Sequence, residues 1–586
     1  MQSGQITLYN LFDGTKTFEI PAYQRSYAWG KRQLEDFTSD FENQVLEKEY
    51  FFGTILFREA SKEDPFEIIE IVDGQQRITT LMIYTRLILA RLKAGGEDVD
   101  LLYNAYIHYG GRFKLRVQPE DNVFFEAYIL KDADGSKMIN TPSQGRLWTA
   151  RQYLNEKVNS YSLNQLKEIR QKIDHTRVLI YSVRDKSEAT LIFEVTNDRG
   201  KPLTNLEKTK AFLMHKTYLA SLDAEPQLET IQQSFVDIYH DLEPVLERQK
   251  IVNEDSILQY HFIAFEKWLS NATAKQYIDN VGQVKNKINT LFNKPDFEAT
   301  NTYIEKYNQE LRESYRITRN LILSPTQNHI LDLIALDRPA VFYPLLIKTY
   351  KLDNTEGKQQ YQRVTRLMEI VSFRVWGVRR RRSDTGREKL YALARDFGGD
   401  FSSLIAELKE FIEQSANDNE FRSKLLNPTL YKGIGPNDLR YLYWKYENHL
   451  RLKETPIFGE MGYDEFKSAD LQTRLSIEHI ASQHPEEVKV IVDNSILPAM
   501  TKEFQEQWLH SLGNLTIDPS SANSSKSNIG IELKNQKYFR KAPYKTQNEL
   551  VDFMDPVNPR WNEDVIIKRR DKILEFALNH WNFRDF

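Results

Sequence analysis

The feature that most restricts the fold is a long central stretch with the apolar period of helices. Residues 225–450 repeat apolar side chains at helical spacing over long segments, such as 330–350 and 361–375, with few turn signals between them. Pro339 and Pro344 interrupt the first of these segments and predict two helices or one kinked helix there. The whole stretch therefore predicts a helical bundle.

The segments on either side of this stretch mix short strands with helices. At about 100–200 residues per domain, a chain of 586 residues holds three or four domains. We predict a multidomain, predominantly helical α+β protein with domains at residues 1–224, 225–450 and 451–586. Apolar runs of strand length lie at residues 51–57 and 66–72, further strand patterns at 177–183 and 476–480, and helical patterns at 75–92 and 188–196.

Composition excludes several classes of protein. The chain has no cysteine, which excludes a disulfide scaffold, a cysteine-ligated zinc site and a thiol nucleophile. Its net charge of −4 means that any nucleic acid must bind to a local basic patch. The most apolar run, residues 81–92, is too short to cross a bilayer and contains Arg86 and Arg91. With no secretory signal pattern at residues 1–10, we expect a soluble, cytoplasmic protein without a membrane partner.

A first group of reactive side chains lies near the C-terminus. Glu478 and His479 end a predicted strand, and Asn514 and Asn523 follow later in the chain. Phosphodiester cleavage needs a metal ion on the scissile phosphate and a base for water, and an imidazole can be that base. Oxygen ligands such as Glu and Asn side chains suit Mg²⁺. Neighbouring side chains on a strand face opposite ways, so a single site requires the strand end to twist or one of the two side chains to reach round.

These residues resemble the HNH (ββα-metal) nuclease motif, with an acid-His-Ile strand, a Gly-Asn-Leu-Thr segment and an Asn in a Ser-rich loop. The resemblance implies that Glu478 and Asn523, or Asn528 in place of the latter, hold Mg²⁺ or Mn²⁺. It also implies that His479 is the general base and that Asn514 orients the His or supports the loop.

The match departs from the family at one position. Ser482 stands where the family has a proline three residues after the His, and His484 and His510 are candidate auxiliary groups. The simpler interpretation is that His479 is a hydrogen-bonded core residue and that the asparagines form turns. The ordered combination favours the nuclease site.

A second group lies in residues 71–81, where a strand, an Asp-Gly turn and a helix start follow one another. A helix N-terminus presents free N–H groups and favours an anion such as phosphate, to which Arg77 would add a bidentate contact. Asp73 is a candidate ligand for Mg²⁺, and Gln75 or Gln76 could orient water. An ordinary turn followed by a solvated helix is the alternative.

Residues 20–29, IPAYQRSYAW, combine a cation with aromatic rings. Arg25 with Tyr23 suits phosphate contact and stacking on a base or ribose. Together with residues 71–81 and with FEVTNDRGKPL at 193–203, this segment resembles the N-terminal domain of the GmrSD family of type IV restriction endonucleases, which includes SspE-like members.

The GmrSD resemblance implies a ParB/sulfiredoxin-like N-terminal domain that hydrolyses a nucleoside triphosphate, GTP before others. It implies that Tyr23, Gln24 and Arg25 share the nucleotide pocket, and the HNH domain is its expected partner domain. Asn197 and Arg199 either line the same pocket or belong to a helix cap. The helical middle of the chain is consistent with the family by position only.

The densest basic run is Arg379, Arg380, Arg381 and Arg382. Either it lies in a solvated loop or helix end, or it binds a DNA backbone through salt-dependent contacts that carry no sequence specificity. Residues 568–570, Lys-Arg-Arg, are a second candidate for such a patch.

We therefore predict an endonuclease for anti-phage defence that is regulated by a nucleoside triphosphate and depends on DNA modification. Its partners would be double-stranded phage DNA and the triphosphate, and a homodimer is left open. One alternative is a nucleotide-gated DNA sensor or abortive-infection switch with a weak or silent HNH site. Another is an RNA-directed HNH nuclease.

Overall fold

The computed structural model divides the chain into two compact units. Unit 1 comprises Met1–Phe262 and Asn271–Leu323, and unit 2 comprises Ile263–Ser270 and Ser324–Phe586. Helices outnumber strands among the described elements, which confirms a multidomain, predominantly helical α+β protein. The division into three domains stays a prediction. The structure describes residues 4–44, 51–131, 133–134, 136, 138–183, 204–248, 252–267, 279–294, 296–323, 328–382, 384–454, 459–470, 472–481, 502–522, 534–535, 538–555 and 560–586.

Unit 1 is built on a six-stranded mixed sheet with the order β1-β8-β3-β4-β2-β7. Neighbours β3 and β4 are antiparallel, whereas β3 and β8 are parallel, as are β2 and β4. A separate pair, β5 with β6, forms a small hairpin. The strands are β1 (Gly4–Thr7), β2 (Lys16–Glu19), β3 (Phe51–Glu63), β4 (Phe66–Asp73), β5 (His108–Tyr109), β6 (Arg112–Phe113), β7 (Leu115–Arg116) and β8 (Arg177–Val183).

The helices within residues 8–175 pack with this sheet around one apolar core. Helix α3 is buried on most of its surface, which explains why its sequence is apolar nearly all round. The helices are α1 (Leu8–Phe12), α2 (Lys31–Glu42), α3 (Gln75–Ala94), α4 (Asp100–Tyr106), α5 (Pro119–Phe124), a π-helix (Phe125–Leu130), α6 (Pro142–Ser160), α7 (Leu163–His175), α8 (Asn205–Ala220), α9 (Glu225–Arg248), α10 (Glu254–Phe265, at the boundary of the units), α11 (Asn280–Phe292) and α12 (Phe297–Leu323).

The predicted elements of unit 1 are confirmed where the structure describes them. The runs 51–57, 66–72 and 177–183 lie in β3, β4 and β8, and the helical pattern at 75–92 is α3. The helix predicted at 188–196 lies outside the described residues.

Unit 2 consists largely of helices. They are α13 (Asn328–Ala335), α14 (Tyr343–Leu352), a 3-10 turn (Glu356–Lys358), α15 (Gln359–Val371), a π-helix (Ser372–Val378), α16 (Arg387–Asp396), α17 (Phe401–Ala416), α18 (Asp418–Leu425), α19 (Leu430–Gly433), α20 (Pro436–Glu454), α21 (Tyr463–Phe466), α22 (Lys502–Gln507), 3-10 turns (Leu512–Asn514 and Phe539–Lys541), α23 (Lys545–Asn548), α24 (Leu550–Phe553) and α25 (Glu563–His580).

The prolines act in unit 2 as the sequence predicts. The stretch 330–350 forms two helices, because α13 ends at Ala335 and α14 begins at Tyr343 with Pro344 in its first turn. The segment 361–375 begins in α15 but changes at Ser372 into a π-helix, which the apolar period did not predict.

Strands β9 (Leu475–His479) and β10 (Leu515–Pro519) form an antiparallel pair near the end of unit 2. Helix α25 packs on the 3-10 turn that precedes β10. A small apolar core that includes Ile480, Trp561 and Ile566 fills the space beside them. Among the helices that the structure describes, none is long and apolar enough to cross a membrane.

Candidate functional site

The first candidate site lies at the end of β9. The register of the pair places His479 opposite Leu515 and Glu478 opposite Thr516, so that Asn514 directly precedes the partner of His479. The structure thus places three residues that the sequence predicted to form one site at the same end of this strand pair. All three are buried.

Asn514 bonds the residue that lies just after β9, Ala481. Its Oδ1 accepts hydrogen bonds from the backbone N of Ala481 (2.9 Å) and from Nε1 of Trp561 (2.8 Å). Its Nδ2 donates to the backbone O of Leu509 at 2.8 Å. These bonds favour the loop-supporting role among the two that the motif implied.

His479 is one half of a histidine pair. Its Nε2 lies 3.1 Å from Nδ1 of His510, and the Tyr431 ring contacts both imidazoles, edge-on at 4.5 Å and stacked at 5.7 Å between centroids. Burial, followed by the positive fields of His510, Lys534 and Lys432, lowers the pKa of His479 to about 3. The imidazole is therefore neutral at neutral pH, which is the form that a general base requires.

Glu478 is paired with a buried lysine. Nζ of Lys534 donates to Oε1 of Glu478 at 2.5 Å and to the backbone oxygens of His479 (3.0 Å) and Ile480 (3.4 Å). Oxygen atoms of three groups thus surround a cation at this point. In the part of the chain that the structure describes, no three His, Asp or Glu side chains lie close enough together to hold a metal ion.

The second candidate site lies in unit 1, where β4 ends and α3 begins. Gly74 has φ of +94°, a conformation that favours glycine, and it turns the chain into the helix. Asp73, the last residue of β4, accepts a hydrogen bond from the backbone of Gly74, and its Oδ2 lies 3.8 Å from Nη2 of Arg77. Burial raises the pKa of Asp73, while Arg77 and the backbone bond act against that rise.

Arg77 ties α3 to β3. Its Nη1 donates to the backbone O of Phe52 at 2.9 Å and its Nη2 to that of Thr54 at 2.7 Å. Between these residues Gly53 has φ of +108°, and an added Cβ there would overlap Nη1. The guanidinium therefore has a structural task, and its predicted phosphate contact stays a prediction.

Gln76 holds the segment 20–29 against α3. Its Oε1 accepts from the backbone N of Ala28 at 2.8 Å, and its Nε2 donates to the backbone O of Ser26 at 3.2 Å. The hydroxyls of Tyr27 and Thr80 lie 2.8 Å apart and add a second tie. The two N-terminal motifs of the sequence thus form one structural piece.

Gln24 and Gln75 also connect the segment 20–29 with the start of α3. Nε2 of Gln24 donates to the backbone O of Val72 at 2.9 Å, and Nε2 of Gln75 lies 3.5 Å from Oε1 of Gln24. Gln118 also joins them, because its Nε2 donates to the backbone O of Arg25 at 2.8 Å and lies 3.5 Å from Oε1 of Gln75. The bonds of the Gln75 side chain are thus longer than those of Gln76.

Arg25 and Tyr23 face the helical layer of unit 1. Nη1 of Arg25 lies 3.6 Å from Oε1 of Glu254 and 4.0 Å from Oε1 of Glu207. Nζ of Lys210 donates to the backbone O of Tyr23 at 2.5 Å and lies 4.5 Å from the centre of its ring. Burial lowers the pKa of Lys210 to about 7.

The arginine run follows the π-helix of unit 2 and lies in a loop. Nη2 of Arg379 lies 2.6 Å from Oε1 of Glu420, and Nε of Arg381 donates to the backbone O of Ser415 at 3.4 Å. The Arg382 side chain is 86% exposed. Arg379 is therefore committed to an ion pair within the unit.

Arg569, in the second basic run, cannot contact DNA. Its side chain is fully buried, where Nη1 donates to the backbone oxygens of Gly513 (2.8 Å) and Leu515 (2.7 Å) and Nε pairs with Glu549. This arginine instead joins α25 to the start of β10.

Several contacting residues were not found from the sequence. Lys210 lies three residues after Glu207 on one face of α8, a helical spacing that could have pointed to it. Gln118 and Tyr431 come from segments far from the motifs, and Lys534 follows the Asn-bearing segment of the nuclease motif; none of the three belongs to a local pattern. The predicted site residues outside the described part of the chain are Asn197, Arg199, Asn523 and the alternative Asn528, and so are Ser482 and His484.

Comparison with known proteins gives two matches. The family model described as GmrSD restriction endonuclease, N-terminal domain, matches residues 8–214, and that described as GmrSD restriction endonucleases, C-terminal domain, matches residues 415–576. Together they span more than half of the chain, and they contain the two candidate sites. No curated protein matches the chain. Restriction endonucleases hydrolyse DNA, so DNA is the substrate that these matches indicate.

Proposed function

The chain belongs to the GmrSD restriction endonuclease family, and on this premise we propose that it is a type IV-like endonuclease with an HNH site. It cleaves phage DNA, depends on DNA modification and is regulated by a nucleoside triphosphate. Unit 2 carries the nuclease site, and unit 1 carries the nucleotide site.

The observation that carries the nuclease proposal is the position of His479, which is buried at the end of β9 and paired with His510 at 3.1 Å. One proton is shared between Nε2 of His479 and Nδ1 of His510. When His479 donates that proton, its Nδ1 is left as an acceptor, and it takes the proton of the attacking water. Asn514 fixes Ala481, just after β9, relative to Leu509 and Trp561 through its three hydrogen bonds.

Mg²⁺ or Mn²⁺ is the cofactor that we propose, with Glu478 as its ligand in the described part of the chain. The oxygen donors around Nζ of Lys534 are of the kind that a hard cation prefers, so their chemistry fits the ion. When bound, the ion would polarise the scissile phosphate. Binding of the metal ion requires that the ammonium of Lys534 be displaced from the carboxylate of Glu478.

The start of α3 is the proposed nucleotide site, with GTP as the first choice from the family. Asp73 would hold the cation of the nucleotide, and the free N–H groups of the helix start would contact its phosphates. Gln75 is favoured over Gln76 for orienting water, because both ends of the Gln76 amide hold the segment 20–29. Tyr23 and Arg25 remain the proposed contacts for the rest of the nucleotide.

The pairing of Lys534 with Glu478 favours one alternative, a nucleotide-gated DNA sensor whose nuclease site is weak or silent. In that case a buried ammonium replaces the metal ion permanently. DNA cleavage that depends on Mg²⁺ or Mn²⁺ would rule it out. Absence of cleavage at any metal concentration, with nucleotide hydrolysis intact, would support it.

The nuclease proposal is tested on the full chain with matched modified and unmodified phage DNA, each triphosphate in turn, and Mg²⁺ or Mn²⁺. We expect His479→Ala to abolish cleavage, whereas His240→Ala, an exposed histidine in unit 1, should cleave like the wild type. Equal cleavage by the His479 variant would refute the nuclease site. Adding transfer RNA as a competitor tests for an RNA-directed enzyme, which would cleave the RNA first.

The nucleotide proposal is tested by triphosphate hydrolysis. We expect Asp73→Ala to lose hydrolysis and Asp100→Ala, whose side chain is 73% exposed at the start of α4, to retain it. Normal hydrolysis by the Asp73 variant would place the nucleotide site elsewhere.

A further inference from the structure

The short helix α19 covers the histidine pair of unit 2. The backbone N of Tyr431 donates to the backbone O of His510 at 3.1 Å, and the Tyr431 ring contacts both imidazoles. Main chain and ring therefore fix this turn directly over the proposed nuclease site. The next residue, Lys432, is consequently held at the edge of that site.

Lys432 is an exposed cation beside a buried base. Its side chain is exposed, yet it lies close enough to His479 and His510 to lower the pKa of both. Among the residues that the structure describes, no acidic side chain pairs with its ammonium. An exposed ammonium beside a base that acts on phosphodiesters is placed to bind a phosphate of the substrate.

The arginine loop reaches the same turn. Arg380 has φ of +53°, a strained conformation for a residue other than glycine, and its Nη1 lies 3.4 Å from the backbone O of Gly433. Arg381 and Arg382, like Arg380, are exposed. The loop thus continues the positive edge that begins at Lys432.

We propose that Lys432 binds a backbone phosphate of the DNA strand at the nuclease site and that residues 380–382 bind the backbone farther along the same strand. This rests on the proposed function, because it assumes that unit 2 acts on DNA. Arg379 is left out, because its side chain is only 17% exposed and is paired with Glu420 at 2.6 Å. Arg381, 4.0 Å from Glu420, and Arg382, 3.0 Å from Asp384, are far more exposed, and exposed ion pairs of this kind contribute little and exchange readily for a phosphate. Contacts of this kind hold the strand without reading its sequence.

The test measures binding of a duplex DNA by the full chain in a His479→Ala background, so that cleavage does not interfere. Each phosphate contact contributes about 0.9 to the slope of log K against log salt, so a fourfold rise in salt costs about 3.5-fold in affinity per contact. We expect Lys432→Gln to bind more weakly and to lose about one such contact. Lys424→Gln, an exposed lysine of α18, is the matched control and should keep the wild-type slope.

Lys432→Arg should restore the slope, because it restores the charge. Equal slopes for the Lys432 and Lys424 variants, or no binding of duplex DNA, would overturn the proposal. The proposed function fails differently: wild-type protein then leaves every DNA intact, or His479→Ala cleaves as well as the wild type, whatever the salt slopes are.

Discussion

Gly513, in the Gly-Asn-Leu-Thr segment, faces α25 at a distance that leaves no space for a side chain. An added Cβ would overlap the backbone O of Ile566 and would lie 2.9 Å from its Cγ2 and 3.0 Å from its carbonyl carbon. Its φ lies outside the left-handed region, so the requirement for glycine is one of space alone. We therefore expect Gly513→Ala to push α25 away from the strands.

The size of the effect follows from what α25 carries. Carbon atoms pack at about 3.5–4.0 Å, so the helix must move by at least about 0.6 Å. Arg569 on this helix donates to the backbone oxygens of Gly513 and Leu515 at 2.8 and 2.7 Å, and such a shift stretches both bonds towards their limit. Overpacking costs about 1–3 kcal/mol, and weakening a buried bond from a charged donor adds up to about 2 kcal/mol. We expect a loss of about 1–5 kcal/mol in the free energy of unfolding.

The assay is urea unfolding of the full chain followed by tryptophan fluorescence, since Trp561 belongs to the apolar core beside this contact. Gly398→Ala is the matched control, because Gly398 is exposed and an added Cβ there meets no atom within 4 Å. A difference in unfolding free energy below about 0.5 kcal/mol between the two variants, the usual range for surface changes, would refute the reasoning.

Three further predictions concern other buried contacts. The pKa of Lys210 falls from about 10.4 in the unfolded chain to about 7 in the folded protein, so the unfolded chain binds more protons between these pH values and stability should rise with pH across that window. When melting temperature is measured against pH, Lys210→Met should flatten this rise. Parallel curves for the variant and the wild type would contradict the prediction. Asn514→Ala removes three buried hydrogen bonds and should lower the free energy of unfolding, measured by thermal unfolding, by about 3 kcal/mol or more. The variant should also lose DNA cleavage. An unchanged melting temperature would show that the bonds contribute little. Gly53→Ala and Gly14→Ala share the strain of a positive φ, but only the alanine at position 53 collides with Arg77. Urea unfolding should therefore show Gly53→Ala to be about 1–3 kcal/mol less stable than Gly14→Ala. Equal losses of stability in the two variants would argue against the contact.

Patterns within one segment predicted the elements around the sites. The alternation of strand, Asp-Gly turn and helix at residues 66–92 is local, and the structure confirms it as β4 and α3. The order of the motifs predicted the family, which the matches at both ends of the chain confirm. The π-helix at Ser372–Val378 was missed, because its apolar spacing differs little from that of an α-helix.

The tasks of single side chains could not be predicted in the same way. Arg77 has the residue type of a phosphate ligand, but the backbone oxygens of Phe52 and Thr54 in another strand engage it. Glu478 has the residue type of a metal ligand, but Lys534 from a later segment pairs with it. Such partners are brought together only by the tertiary fold, and the spacing of residues in the sequence does not predict them.

The π-helix before the arginine loop sets the direction in which that loop leaves the unit. Arg374 anchors it, with a fully buried side chain that bonds Asp418 at 2.5 Å. A π-helix has more residues per turn than an α-helix, and deletion of one residue within Ser372–Val378 would rotate everything after it by roughly a quarter of a turn about the helix axis. The number of residues in this segment, more than their identity, therefore aims the basic loop, and a change in length would redirect all four arginines without altering any of them.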